Sequence, residues 1–291
     1  MTLATRLLEF GFPPISERIA LTRTFLMELR GFQLQKPFPF LGGLIKTTTS
    51  QLLRPSAETD RMIPTRMISV IIPAHNEEGY LQSTLEALQQ QNYGWFEVIV
   101  VANGCTDRTR EVARGRCQRL IVLSQKSLGV ARNLGARMAR GDLLLFLDAD
   151  TLLEPMALRV IAERFTGSDA AGTIQGRPDE SRLAYRLIYE LKNFLHRWSL
   201  HPGSSGVILC WKHHFVRIGG FDEGLEVREN SELVKRLARF GRYKYIGTVS
   251  ATTSMRRYSR CGVARVAWLW CKLWFESLIC DLHHRQYEAI R

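Results

Sequence analysis

A run of apolar residues, Leu143-Leu144-Leu145-Phe146-Leu147, leads straight into Asp148-Ala149-Asp150. A run of that length suits a strand buried on both faces, and the carboxyl edge of an open parallel sheet is where such folds bind ligands. Two acids at i and i+2 on that edge repel each other unless a cation lies between them. Mg²⁺ or Mn²⁺ fits, because hard cations take carboxylate oxygens and share themselves with substrate phosphates. The pattern points to metal-assisted chemistry on a nucleotide diphosphate, with Asp148 and Asp150 as metal ligands. The plainer reading is a solvated strand end, or a helix cap with a spare acid.

Three other segments carry polar side chains next to apolar runs. Pro73-Ala74-His75-Asn76-Glu77-Glu78 follows a β-branched run directly. A loop there, rich in hydrogen-bonding groups, suits a base and ribose. It equally suits a capped helix start, with Asn76 as cap and Glu77 at the positive helix end. Val101-Ala102-Asn103-Gly104-Cys105-Thr106-Asp107 closes a second run. Gly104 permits a tight turn and Asn103 can pair with a base edge, or the segment is an ordinary turn with a cap. In the segment 127–136, Arg132 stands near the start of a helix. From there it can reach a diphosphate, brace the nearby acids or lie on a solvated face.

These residues need elements to hold them. Residues 68–73, 96–101, 120–123 and 143–147 read as strands, and 80–91, 106–119, 130–140 and 154–165 as helices. Their alternation at short intervals predicts an α/β fold, a single mostly parallel sheet flanked by helices. After about Gly172 the pattern changes to a long helix over 183–198, a short strand over 207–210 and a Gly-Gly turn at Gly219-Gly220. A helix over 231–240 and a last strand over 243–249 follow. Residues 1–66 read as a helical extension interrupted by prolines, 67–250 as the main domain, and 251–291 as a basic, aromatic helical tail.

The chain has 291 residues, 45% of them hydrophobic, enough for one domain of roughly 200 residues with appendages. The formal charge of +12 is compatible with nucleic acid, anionic lipid or polyphosphate substrates. No ribonucleoprotein motif, zinc-finger spacing or basic zipper appears, so nucleic acid is not an expected partner. None of the six cysteines forms a CxxC pair, which favours free thiols in a reducing compartment. No signal-peptide pattern and no long uninterrupted apolar run is present, so the cytoplasm is the expected location. The tail carries Trp268, Trp270, Trp274 and Phe275 beside Arg256, Arg257, Arg260 and Arg265. That composition suits a helix lying peripherally on the inner face of the cytoplasmic membrane. A helix docked on the domain or on a second subunit is the alternative.

Taken in order, these segments closely resemble the family 2 glycosyltransferases, inverting enzymes of the A-type nucleotide-diphospho-sugar transferase fold. The opening motif is similar to Ile72-Pro73-Ala74-His75-Asn76-Glu77, and the second loop to Ala102-Asn103-Gly104-Cys105-Thr106-Asp107. The Gly-x-x-x-Arg-Asn-x-Gly segment matches residues 129–135 apart from one residue of spacing. The Asp-x-Asp motif is Asp148-Ala149-Asp150, and Gly-Gly-Phe-Asp-Glu is Gly219-Gly220-Phe221-Asp222-Glu223. Five weak motifs in sequence order are together specific.

The resemblance implies a nucleotide-diphosphate sugar donor and a lipid-linked or saccharide acceptor. Pro73, His75, Asn76, Glu77 and Asn103 would contact the nucleoside, with Arg132, Phe221 and Asp222 also in the substrate site. Asp148 would face the ribose or sugar, and Asp150 would ligate Mg²⁺ or Mn²⁺ with the diphosphate. The chain departs from the family twice. Ala102-Asn103 stands where two aspartates are common, so uridine is not assured. Asn230 stands where the family has its general base, and an amide cannot accept the proton usefully. Glu229 is adjacent and is the expected replacement; Glu232, one helical turn on, is the other candidate. Both acids also suit a helix start capped by Asn230. A catalytically impaired homologue acting as a nucleotide-sugar-binding subunit is the alternative function.

Overall fold

Ile68–Ala74 (β1) and Leu143–Leu147 (β4) are wholly buried strands, and Phe96–Asn103 (β2) is buried but for Phe96. They form the middle of an eight-stranded sheet in the computed structural model, which describes residues 66–199, 203, 206–225, 227–266, 268–270 and 272. The N-terminal extension, apart from Arg66, and the far part of the tail with Trp274 and Phe275 lie outside the described residues.

The order from edge to edge is β3-β2-β1-β4-β7-β6-β8-β5, where β3 is Arg119–Leu123, β5 Thr151–Leu153, β6 Asp169–Pro178, β7 Val207–Trp211 and β8 Arg242–Thr253. Strands β1 to β4 run parallel. The second half is mixed: β7 is antiparallel to β4 and β6, β8 is parallel to β6, and β5 is antiparallel to β8. The expected mostly parallel sheet flanked by helices is thus present, with two reversed strands. Reversal at β7 matters, because it places the start of that strand beside the carboxyl end of β4.

Helices cover the sheet where apolar residues recur at helical spacing. Leu81–Gln89 (α1) buries Leu81, Thr84, Leu85 and Leu88. Leu128–Met138 (α3) starts at Ser127, whose hydroxyl accepts from the Val130 amide, as an N-cap should. Ala157–Arg164 (α4), Leu183–Arg197 (α5), Lys212–Arg217 (α6), Glu229–Leu237 (α7) and Arg256–Cys261 (α8) follow. Thr109–Ala113 (α2) is shorter than the helix expected over 106–119. Asp107 accepts from the Thr109 amide at 3.0 Å and so delays its start, and Gly115 at φ +76° closes it.

Candidate active site

The acids that close β4 sit on a rigid shelf. The Asp148 amide donates to the Gly206 carbonyl at 3.0 Å, and the Thr84 hydroxyl of α1 donates to the Ala149 carbonyl at 2.8 Å. Both side chains face a cleft of about 370 Å³ at the carboxyl edge of β1, β2 and β4, the size class of a small-ligand site. The Asp150 carboxyl is pushed up to about 7, by burial first and by the Asp148 and Glu77 charges, with Arg256 acting in the opposite direction.

Arg132 of α3 is the hub of the cleft floor. Its Nη1 donates to Glu229 Oε1 at 3.0 Å and to Asn230 Oδ1 at 2.8 Å, and its Nη2 to Asp148 Oδ1 at 3.2 Å. The guanidinium lies 5.0 Å from the ring centre of Phe221. Of the readings open for Arg132, bracing the acids is the one its contacts match. Arg256 does similar work from α8. It makes two bonds to Glu77, at 2.7 and 2.6 Å, and its Nη2 lies 3.2 Å from Asp150 Oδ2. Burial disfavours its charge, but Glu77 and Asp150 outweigh that and hold it firmly protonated.

At the other end of the cleft, His75 Nδ1 donates to the Asn103 carbonyl at 2.6 Å. The Asn103 side chain accepts from the Ser127 amide at 2.8 Å, tying β2 to the start of α3. Gly104 between them has φ +62°, and a Cβ there would meet the Lys126 amide nitrogen at 2.7 Å, so only glycine fits. The Gly-Gly turn is secured by Asn133: its Nδ2 donates to the Phe221 carbonyl at 2.9 Å and its Oδ1 accepts from the Phe221 amide at 2.8 Å.

Pro73, His75, Glu77, Asn103, Arg132, Asp148, Asp150, Glu229 and Asn230 all line the cleft. Four candidates do not. Asn76 has φ +52° and bonds to Thr106; Phe221 is buried beneath Arg132; Asp222 accepts from the Gly224 amide. Glu232 turns away to a two-bond pair with Arg236 at 2.5 and 2.6 Å. Sequence reasoning did not single out Tyr189 and Lys192 of α5 or Tyr258 of α8, which line the far wall with Arg257 and Trp270.

Among the described residues no group of three or more His, Cys, Asp and Glu could hold a metal by itself. The residues present nevertheless fit a hard divalent cation. Asp148 and Asp150 offer oxygen donors on one edge of the cleft, and substrate phosphates and water complete such a shell.

Residues 69–221, more than half of the chain, match the family described as Glycosyl transferase family 2, and the chain belongs to that family. The validoxylamine A glucosyltransferase of Streptomyces hygroscopicus subsp. limoneus is 36% identical over 118 residues, 38% of this chain and 26% of that protein. An uncharacterized glycosyltransferase of Haemophilus influenzae is 35% identical over 190 residues, 59% of this chain and 62% of that one. The chain spans only about a quarter of the length of the first curated relatives it matches. Among solved structures, S. aureus TarS 1-349 with UDP-GlcNAc has a TM-score of 0.53 at 21% identity, covering 65% of this chain and 59% of that one. The mannosyltransferase PcManGT of Pyrobaculum calidifontis, in complex with GDP-Man and Mn²⁺, has a TM-score of 0.56 at 17% identity, covering 86% and 68%. These likenesses establish the A-type glycosyltransferase fold.

Proposed function

We propose that this chain moves a sugar, with inversion at C1, from a nucleotide-diphosphate sugar to a hydroxyl of a lipid-linked or saccharide acceptor, in a metal-dependent reaction. The observation that carries this reading is the convergence of Asp148, Asp150 and Glu229 on one cleft whose other end presents His75, Glu77 and Asn103. The nucleotide sugars in the two structural neighbours support a donor of that class.

Glu229 is the base in this reading. Arg132 holds its Oε1, and the carboxylate takes the acceptor hydroxyl proton as that oxygen attacks C1 from the face opposite the diphosphate. The C1–O bond to the acceptor forms, the C1–O bond to the β-phosphate breaks, and its electron pair stays on the diphosphate. Asp148 and Asp150 would hold Mg²⁺ or Mn²⁺ against the diphosphate, where the cation offsets the charge of the leaving group. Glu229 on the cleft wall speaks against the alternative of a binding subunit without catalysis. Peripheral contact with the cytoplasmic membrane face belongs to the same proposal. Trp268 is exposed and Arg260 and Arg265 stand near it in sequence, while no described helix is long and apolar enough to cross a membrane.

Thermal melts against a donor panel, with and without Mn²⁺ or Mg²⁺, test the reading. A cation-dependent rise in Tm with one nucleotide sugar is expected, and Asp150→Ala should erase the cation's share. Glu229→Gln should abolish transfer and Glu232→Gln retain it; unchanged turnover in Glu229→Gln would retire that base. Deleting residues after Arg260 should release the protein from anionic vesicles.

A further inference from the structure

Helix α5 is apolar on two sides. Its inner side buries Tyr185, Tyr189 and Phe194, as a helix resting on a sheet should. Its outer side is apolar as well. Leu183, Leu187 and Leu191 are 70, 48 and 44% exposed, and Trp198, just past the helix end, is exposed with them. Four-residue spacing stacks the leucines in one stripe along the helix. A single exposed leucine is ordinary on a protein surface, whereas a contiguous stripe marks a surface that meets something.

The stripe has a neighbour of the same kind. Ile188 and Val263 pack against the cluster of Tyr185, Tyr189, Tyr258 and Val266, so the helical residues that follow α8 lie alongside α5. They expose a second large apolar group, Trp268, with the Lys272 ammonium 5.2 Å from its ring centre. Both helices also carry exposed cations: Arg182, Arg186, Arg197, Arg260, Arg265 and Lys272. Arg182 is paired with Glu180 at 3.0 Å. Within the segments 182–198 and 260–272 the single acid is Glu190.

Leucine embeds in acyl chains, tryptophan settles at headgroup level and arginine meets lipid phosphate, so this composition matches an anionic bilayer. A second copy of the chain matches it less well, because pairing this face with itself sets cations against cations. The same two helices supply Tyr189 and Trp270 to the far wall of the cleft, so docking here sets that wall beside the lipid surface. We infer that the outer side of α5, together with the residues around Trp268, is a docking surface for an anionic bilayer. This extends the membrane contact proposed for the tail to an element well before it in the chain, and it rests on that reading.

The test is co-sedimentation of the full chain with phosphatidylglycerol vesicles and with phosphatidylcholine vesicles. Binding to the anionic vesicles should be tighter by about tenfold or more and should weaken as salt rises. The double variant Leu187→Gln, Leu191→Gln should lose about tenfold in partitioning with no change in charge. Leu183→Gln, at the most exposed position, should lose about threefold. Val216→Gln should stay within about twofold of wild type. Val216 is also exposed, but α6 follows the end of β7 that pairs with Leu143, at the sheet edge opposite the cleft. Brominated acyl chains should quench more of the emission in wild type than in Trp198→Phe, since Trp198 lies at the lipid. Both glutamine variants binding like wild type, with Tm kept, would overturn the inference and leave the contact to the tail alone. A wild-type chain that ignores anionic vesicles would overturn both, while the donor melts still decide the transferase reading separately. A dimer in solution that the double variant splits would assign the face to a second copy and overturn the inference too.

Discussion

Two arginines gather the acids of the cleft by the same means from different depths. Arg132 lies 5.0 Å from the ring centre of Phe221 and reaches Glu229, Asn230 and Asp148. Arg256 lies 4.4 Å from that of Tyr80 and reaches Glu77 and Asp150. Each guanidinium has an aromatic ring and two carboxylates around it, and each lets acids stand close that would otherwise repel. They differ in what carries them. Arg132 is 3% exposed and belongs to a helix whose inner face packs on the central strands. Arg256 opens a six-residue helix just past the last strand. The first pins one helix to another inside the fold; the second clasps the end of the sheet to the loop after β1.

That contrast predicts unequal losses. Arg132→Met leaves Glu229 and Asp148 without their shared cation and should cost about 3–5 kcal/mol in urea unfolding, the usual result of removing one partner from a buried ion pair. Arg256→Met should cost less, about 1–2 kcal/mol, because Asp150 already sits near 7 and answers by taking up a proton. Equal losses would break the comparison.

Lys192 sharpens it from the other side, as a cation with no salt bridge to a carboxylate among the described residues, and one whose charge burial disfavours. In the unfolded chain lysine titrates near 10.4, and in the fold Lys192 titrates near 8. Between those values the unfolded state binds more protons, so stability rises with pH from about 8 to about 10.4, and below 8 the full penalty is present. Lys192→Met should therefore be more stable than wild type at pH 7, by about 1 kcal/mol, and the gain should vanish above about pH 10.5. Thermal melts at the two pH values check this; a gain independent of pH would show that packing, not charge, changed. Smallest of all, Tyr80→Leu removes the ring beneath Arg256 and should cost about 0.5–1 kcal/mol in the same unfolding assay.

How far the sequence discloses this molecule depends on where the information resides. Strands β1, β2 and β4 announce themselves as apolar runs because both of their faces are covered. Strand β6, Asp169–Pro178, does not: Ala170, Ala171 and Gly172 carry little β preference, and the segment is a strand because β7 and β8 flank it. The cleft divides in the same way. Asp148, Asp150, Arg132 and Glu229 follow strand ends or open helices and can be found from order and spacing. Tyr189 and Lys192 stand three residues apart on a long amphipathic helix, where they look like an ordinary core edge and solvent face. Only the packing of Tyr185 and Tyr189 against Met255 and Tyr258 turns that side of α5 to the cleft.

The bond between Glu77 and Arg256 spans 179 positions of the chain. On a ribosome adding roughly 5–20 residues per second, the first strand's acids emerge some ten to thirty-five seconds before their partner does. A nascent chain therefore carries the loop after β1 long before the clasp that holds it, and Glu229 also arrives late. The cleft is therefore complete only once Glu229 and Arg256 have both emerged.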